Sequence, residues 1–277
     1  MKLFKRKRNL NNFVRKGILM GLNYRGTNNQ LNGCINDTLN LKNFLVNNKF
    51  FLENELTLMN DDCKDELYPN KQNMLNAFES LVKFANDNSD KSNIYMFLSY
   101  SGHGAYIRDT SGDEDDGRDE VLCPLDCDTN GYIVDDYLKK NFIDRLPSNV
   151  NLVLMIDACH SGTAFDLKYN MVVNNSNTYK MTRDTHSKCS VVMISGCTDL
   201  QTSADAYIML GGASRYTYQG AMTASFLANF KLGISSRTLV QNMRDWLKKN
   251  GYTQVPQLSS GKLLDILGKF PLNDFNN

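Results

Sequence analysis

Residues 94–104 read IYMFLSYSGHG, and residues 152–162 read LVLMIDACHSG. Each stretch opens with a short apolar run, at 94–98 or 152–156, and then turns to small and polar residues. A short apolar run bounded by turn formers predicts a buried β-strand. Because ligands bind beyond the carboxyl ends of the strands in an open parallel sheet, the residues after each run are candidates for chemistry.

The segments around these two stretches predict the rest of an α/β fold. Apolar runs at 17–22 and 191–194 indicate two more buried strands. Apolar residues recur at helical spacing within 37–46, 74–85, 135–146 and 235–249. Because strands alternate with helices, we expect a mostly parallel central sheet flanked by helices on both faces.

The chain of 277 residues is expected to form a single large domain with a basic extension at its start. Residues 1–12 carry basic side chains and no acid, and residues 13–277 hold all the predicted strands and helices. Residues 168–188 are polar and have no apolar period, so we interpret them as an exposed linker. The linker divides the domain into a larger part at 13–167 and a smaller part at 189–277.

The overall composition excludes several classes of partner. The formal net charge is only +1, and no basic stripe continues beyond residues 1–12. We therefore expect no nucleic-acid partner, although contact of this tail with nucleic acid or anionic lipid stays open. No apolar run approaches the ~20 residues that a membrane-spanning helix needs. Seven scattered cysteines without a CxxC pair indicate a reducing, cytoplasmic or otherwise intracellular setting. We expect a monomer.

The two predicted strand ends carry a cysteine nucleophile and its base. Gly102 and Gly104 flank His103 and allow a sharp, accessible turn. Cys159 follows the other strand end, so it can act as a nucleophile whose proton His103 accepts. The backbone amides of Gly104 and Cys159 can form the oxyanion hole.

Less specific interpretations of these residues stay open. His103 can be a loop histidine bonded to backbone, and Cys159 can be a small buried hydrophobic residue. Cys197 is the rival nucleophile because it also follows a predicted strand, but it lacks a glycine-flanked histidine of its own. The other two histidines are weaker candidates, since His160 directly follows Cys159 and His186 lies in the linker.

Further motifs are spread along almost the whole chain. They are GCINDT at 33–38, YSGHG at 100–104, the acidic stretch at 112–121, GYIVDD at 131–136, DACHSG at 157–162 and SGCTDLQTSAD at 195–205. Together they resemble the metacaspases, in particular the type I group. The resemblance implies a caspase-like fold and a cysteine peptidase that acts through a thioester intermediate.

The spacing of the dyad agrees with this resemblance. His103 lies 56 residues before Cys159, and the equivalent spacing in caspases is about 50 residues. The residues around Cys159 read DACHSG and depart from the Gln-Ala-Cys-x-Gly pattern of caspases. This departure argues against cleavage after aspartate.

Two aspartates near the predicted strand ends suit a pocket for a basic side chain. Asp157 and Cys159 have the same parity on an extended strand end and point to the same side. Asp37 lies beside Cys34 at a predicted helix start, where it can equally be a helix cap. The resemblance implies that Cys34, Asp37, Ser101 and Asp157 line the primary specificity pocket. An acidic pocket implies protein or peptide substrates with Arg or Lys at the cleavage position.

The acidic stretch at 109–120 is typical of a solvated loop, although calcium binding stays open. Its order does not fit an EF-hand, whose ligands alternate before a glycine and end in a glutamate. The resemblance implies an activating, non-catalytic calcium (Ca2+) site at Asp119, Asp135, Asp136 and Asp166. Asp135 and Asp136 can instead cap the helix that follows.

The resemblance also implies self-cleavage in the linker. The candidate positions are Lys168, Lys180, Arg183 and Lys188, because proteolysis concentrates in exposed polar segments. The leading hypothesis is therefore a calcium-activated cysteine endopeptidase. A non-catalytic caspase-like scaffold is the alternative from another class, and loss of activity upon thiol alkylation separates the two. An aspartate-specific protease would need a basic pocket, which the acidic candidates oppose.

Overall fold

The computed structural model describes residues 12–108, 118–158, 165–171, 179–181, 187–196, 205–209 and 216–276. Two of the predicted site residues, Cys159 and Arg183, lie outside the described residues. The rival nucleophile, the other two histidines and most of the acidic stretch also lie outside them, at Cys197, His160, His186 and 109–117.

The strands form one large sheet and two small ones. They are β1 (Phe13–Gly21), β2 (Leu56–Asn60), β3 (Asn93–Ser101), β4 (Gly104–Arg108), β5 (Arg118–Leu122), β6 (Ile133–Val134), β7 (Val150–Asp157), β8 (Tyr169–Met171), β9 (Tyr179–Met181), β10 (Ser190–Ser195), β11 (Asp205–Met209), β12 (Tyr216–Gly220) and β13 (Gln257–Ser260). The central sheet has the order β2-β1-β3-β7-β10-β13-β8-β9. Its first five strands are parallel, and β13, β8 and β9 add to it in antiparallel pairs.

The two small sheets are separate from the central sheet. Strands β4, β5 and β6 form one antiparallel sheet, and β11 and β12 form a hairpin. The α-helices are α1 (Cys34–Asn47), α2 (Lys71–Asp87), α3 (Cys127–Asn130), α4 (Asp135–Asn141), α5 (Ala221–Asn229) and α6 (Ser236–Lys249). Short 3-10 helices lie at Glu53–Glu55, Asp65–Leu67, Ile143–Arg145 and Pro271–Asn276. None of the helices in the described part of the chain has the length and apolar character needed to span a bilayer.

Alternate side chains of β3 enter two separate hydrophobic layers. Met96 and Leu98 pack in a layer with α2, whereas Tyr95 and Phe97 pack in a layer with α1, α5 and α6. All four side chains are buried. A strand that is covered on both faces reads as a continuous apolar run, which is why the sequence signal at 94–98 is strong. The predicted α/β fold, with a mostly parallel sheet between helices, is confirmed.

The predicted linker at 168–188 differs from its expected form. Two short strands of the central sheet lie within it, because β8 pairs with β13 and β9 pairs with β8. Lys168 is only 4% exposed, and Met171 is also buried. The start of this segment is therefore packed against the domain. Its polar sequence gives no sign of this, because the backbone ladder at the sheet edge supplies the pairing.

Candidate active site

The carboxyl ends of β3 and β7 lie side by side. Ser101 and Asp157 are direct partners in the parallel ladder, and the Gly102 amide donates to the Asp157 carbonyl at 3.3 Å. His103 follows two residues after Ser101. Cys159 follows two residues after Asp157, just beyond the last described residue of this segment, Ala158.

The half-buried His103 is oriented by a backbone carbonyl. Its Nε2 lies 2.7 Å from the carbonyl oxygen of Asn29. A carbonyl can only accept a hydrogen bond, so Nε2 carries the proton in the neutral ring and Nδ1 is the basic nitrogen. This tautomer follows from the contact, and it equips Nδ1 to take a proton from a nucleophile.

The loop that carries Asn29 is held at its base by one carboxylate. Asp61 accepts hydrogen bonds from the amide of Asn23 at 2.7 Å and from the amide of Arg25 at 3.0 Å. The Leu31 amide donates to the Asn23 carbonyl at 2.8 Å and closes the loop. The carbonyl of Asn29 is therefore supported by a bonded turn.

Gly104, the predicted oxyanion residue, is the first residue of β4 and pairs with Leu122. Cys123 directly follows Leu122, and its amide donates a hydrogen bond of 3.2 Å to the His103 carbonyl. The small sheet of β4 and β5 thus anchors the turn that carries the histidine. Cys159, the other predicted donor, lies outside the described residues.

Asp37 is buried and holds two parts of the chain together. Helix α1 begins at Cys34, so Asp37 lies within its first turn, and the helix has no side-chain cap. One Asp37 carboxylate oxygen accepts from the Ser101 hydroxyl, and the other accepts from the Gly220 amide at 2.8 Å. The N-cap residue of α1 is Gly33, and both of these hydrogen bonds reach outside the helix, so the helix-cap interpretation of Asp37 is wrong.

Asp157, the last residue of β7, also lies next to Gly220. Its Oδ2 accepts from both the amide and the hydroxyl of Thr223, each at 2.9 Å. A Cβ atom on Gly220 would overlap Asp157 Oδ2 and lie 2.7 Å from Asp37 Oδ2. The two carboxylates are 3% and 0% exposed, so two buried acids meet at one glycine backbone.

Cys34 and Ser101 complete the predicted pocket set. Cys34 is buried at the first position of α1, and Ser101 is buried at the end of β3. A Cβ on Gly21 would overlap the Cys34 carbonyl oxygen, so the helix start packs directly on the end of β1. All four predicted pocket residues therefore lie near the carboxyl edge of the parallel strands.

A second group of carboxylates lies at the start of α4. One oxygen each from Asp135, Asp136 and Asp166 lies within 4.8 Å of the other two. Oxygens around one calcium ion at about 2.3–2.6 Å lie at such separations, and hard carboxylate oxygens are the ligands that calcium prefers. These three residues fit calcium. Asp119, the fourth predicted ligand, is buried but is not a member of this set.

The buried Asp135 carboxyl is electrostatically strained. Burial, together with a hydrogen bond to the Glu120 side chain, raises the pKa of Asp135 to about 8. Its oxygens accept from the amides of Glu120 and Asp136, at 3.0 and 2.8 Å. Asp135 and Asp136 do begin α4, but the N-cap residue is Val134 and no side chain caps the helix, so the capping alternative is wrong. Asp166 has a φ of 48°, a left-handed conformation that is uncommon outside glycine.

Several residues of this site were not predicted from the sequence. They are Asn29, Gly220 and Thr223. Gly220 ends β12 and precedes α5. These residues act through backbone groups and long-range contacts, which leave no local pattern.

Comparison with known proteins identifies relatives along most of the chain. Residues 15–168 match the family model described as "Metacaspase, peptidase C14 domain". The chain is 36% identical to Metacaspase-1A of Neurospora crassa, covering 91% of this chain and 64% of that protein. It is 34% identical to Metacaspase-1 of Debaryomyces hansenii, covering 94% of this chain and 67% of that protein. The chain thus spans about two thirds of the length of these relatives.

Solved structures share the fold. A protein from Geobacter sulfurreducens aligns with a TM-score of 0.62 at 23% identity, covering 93% of this chain and 98% of that chain. Caspase-1 from Spodoptera frugiperda aligns with a TM-score of 0.51 at 10% identity, covering 95% and 94%. The match to the metacaspase peptidase C14 domain places the chain in a family of cysteine peptidases, which are hydrolases. The chain belongs to the metacaspase family, as its motifs predict.

Proposed function

We propose that the chain is a calcium-activated cysteine endopeptidase that cleaves after Arg or Lys. The pairing of Ser101 with Asp157 carries the proposal. In the sequence, His103 and Cys159 each follow a member of this pair by two residues, after the ends of two neighbouring parallel strands. Equal offsets at one sheet edge support a dyad of these two residues.

In the proposed reaction, His103 Nδ1 takes the proton of the Cys159 thiol, and the thiolate attacks the substrate carbonyl carbon. The carbonyl electron pair moves to oxygen, where the amides of Gly104 and Cys159 stabilise the negative charge. Breakage of the C–N bond leaves a thioester, and the imidazolium gives its proton to the departing amine. Water then hydrolyses the thioester, with the imidazole as base, and the thiol is restored.

Two buried acids support basic specificity. Asp37 and Asp157 accept hydrogen bonds from hydroxyl and amide groups, which are neutral donors. Adjacent buried carboxylates disfavour each other's charge, so a cation between them stabilises both. A guanidinium or ammonium group meets this need through charge-assisted hydrogen bonds. Cys34 and Ser101 would form the adjoining walls.

The carboxylates of Asp135, Asp136 and Asp166 are the proposed calcium ligands, with Asp119 as a further one. Bound calcium would supply the positive charge that lets these acids remain ionised side by side. Asp166 follows the nucleophile by seven residues, and Phe165 next to it is fully buried. Fixing Asp166 would therefore fix the chain that leaves Cys159, which makes the ion an activator and not a catalyst.

We further propose self-cleavage between Lys180 and Lys188, in a monomer that resides in a reducing, intracellular compartment. Lys168 is a poor processing site, because its burial hides it from an active site. Lys188 is exposed, but its carbonyl accepts from Lys262 Nζ at 2.6 Å. The five described cysteines are all thiols, which suits a reducing setting.

A panel of fluorogenic peptides tests this function. Peptides with Arg, Lys, Asp or a neutral residue at the cleavage position are assayed with calcium and with chelator, using the wild type and Cys159→Ala. We expect turnover of the Arg and Lys peptides only, with calcium only, and none by Cys159→Ala. Turnover by Cys159→Ala, or preference for the Asp peptide, would refute the proposal. No turnover of any peptide would favour the non-catalytic scaffold.

A further inference from the structure

A buried tyrosine, Tyr24, packs its ring against the imidazole of His103. Tyr24 is 5% exposed and has a φ of 51°. This left-handed conformation is unfavourable for a non-glycine residue, and such residues concentrate at functional sites. Asp61 binds the amides of both neighbours of Tyr24, Asn23 and Arg25. This local backbone arrangement presents the Tyr24 side chain to the turn that carries His103.

The hydroxyl groups of two tyrosines bind the backbone of His103 on both sides. The His103 amide donates to Tyr24 Oη at 2.9 Å, and Tyr100 Oη donates to the His103 carbonyl at 2.7 Å. Tyr24 Oη donates its own proton to the Cys123 carbonyl at 2.6 Å. The proton of the Tyr100 hydroxyl therefore goes to the His103 carbonyl, and the proton of the Tyr24 hydroxyl goes to the Cys123 carbonyl.

The ring of Tyr24 also contacts the imidazole. The two ring centroids are 4.6 Å apart, with an angle of 44° between the planes. Burial raises the pKa of Tyr24 well above 10, so its hydroxyl stays protonated and keeps its donor role at neutral pH. The imidazole is therefore held by the Asn29 carbonyl at Nε2 and by the Tyr24 ring at its face.

The surroundings of Gly102 independently show how closely the two tyrosine hydroxyls pack against the histidine turn. A Cβ on Gly102 would lie 2.8 Å from Tyr100 Oη and 3.0 Å from Tyr24 Oη. At these distances a side chain at position 102 would force the hydroxyl groups to shift. The glycine before the histidine thus makes room for the two hydroxyls.

We infer that Tyr24 is a positioning residue for the catalytic histidine, fixing both the backbone and the ring of His103 so that Nδ1 keeps one orientation for proton transfer. This inference rests on the proposed function, since it takes His103 to be the general base. The chemistry of the step is unchanged. Tyr24 acts only through the geometry of His103.

Steady-state kinetics of Tyr24→Phe on an Arg peptide with calcium tests the inference. Tyr95→Phe is the matched control, because Tyr95 is a buried tyrosine on β3 that packs in the layer remote from His103. We expect kcat of Tyr24→Phe to fall about tenfold or more with KM within twofold, since small displacements of a catalytic group are costly. Tyr95→Phe should retain the wild-type kcat.

The outcomes separate this inference from the proposed function. A wild-type kcat for Tyr24→Phe, or a raised KM with unchanged kcat, would overturn the inference and leave the proposed function standing. If His103→Ala keeps its activity, the proposed function itself fails, and the inference fails with it. Should Tyr24→Phe not fold, Gly102→Ala is judged by the same kinetic criterion, because its Cβ displaces the same hydroxyls.

Discussion

The Gly220 amide donates a hydrogen bond of 2.8 Å to the Asp37 carboxylate, across 183 residues of sequence. This contact joins α1, near the start of the domain, to the end of β12, which follows the linker. The proposed acidic pocket therefore takes residues from both sides of the predicted cleavage segment. A cut in that segment leaves its parts joined through the central sheet and this pocket.

Gly220→Ala is expected to damage the pocket more than the fold. The added methyl group would overlap Asp157 Oδ2, and overpacking costs about 1–3 kcal/mol of unfolding free energy. Gly233→Ala is the control, since Gly233 has a φ of 83° and open space around its Cβ position. A left-handed alanine costs about 1–2 kcal/mol, so the two variants lose comparable stability.

We expect only Gly220→Ala to lower kcat/KM for Arg peptides, as measured by fluorogenic assay beside thermal unfolding. Equal kcat/KM values for the two variants would show that Gly220 has no role in the pocket.

Asp157→Asn should weaken cleavage after Arg. Loss of a charged hydrogen bond costs about 1.5–3 kcal/mol, which corresponds to a kcat/KM that is roughly 10- to 100-fold lower. The amide keeps one oxygen for Thr223, so the melting temperature should change little. A kcat/KM equal to that of the wild type on Arg peptides would mean that the substrate cation binds elsewhere.

The paired replacement of Asp135 and Asp136 with Ala should remove the calcium response. Two of the three clustered carboxylates are then missing, and too few hard oxygens remain to hold the ion. Asp144→Ala is the matched control. Asp144 forms an ion pair with Lys139 of α4 and does not belong to the carboxylate cluster of Asp135, Asp136 and Asp166.

Isothermal titration calorimetry and peptidase rates with calcium and chelator report the result. Calcium binding of wild-type affinity by the double variant would assign the ion to other ligands.

Self-cleavage should give two pieces that stay associated. Strands β7 and β10 lie on opposite sides of the segment in sequence and pair along six residues, so the cut does not divide the core. Mass spectrometry should find the cut between Lys180 and Lys188, with both pieces in one gel-filtration peak. A cut after Lys168, or separation of the pieces without denaturant, would contradict this expectation.

The buried parallel strands could be predicted from sequence, and the later antiparallel ones could not. Strands β3 and β7 are covered on both faces, so each reads as an apolar run. Strand β13 reads QLSS and β8 reads YNM. Each contributes a single buried apolar side chain, Leu258 or Met171, so neither forms an apolar run. Motif resemblance supplied the residues of the two acidic groups, which periodicity alone does not distinguish from caps.

The supporting residues of the site were beyond sequence reasoning for a different reason. Thr223 reaches Asp157 across 66 residues, and Asn29 reaches His103 across 74. Asn29 contributes a backbone carbonyl, which any residue type offers. Contacts of this kind depend on the folded arrangement of several loops and have no local pattern.

The rate at which iodoacetamide modifies Cys159 most directly tests the central claim that His103 activates this thiol. The thiolate is the reactive species, and the measurement needs neither substrate nor knowledge of specificity. Peptide mapping after brief labelling at pH 6 compares the wild type with His103→Ala. The account predicts that Cys159 reacts at least about tenfold faster than Cys63, a half-buried thiol outside the proposed dyad, and loses this advantage in His103→Ala. Equal labelling of Cys159 in both proteins would contradict it.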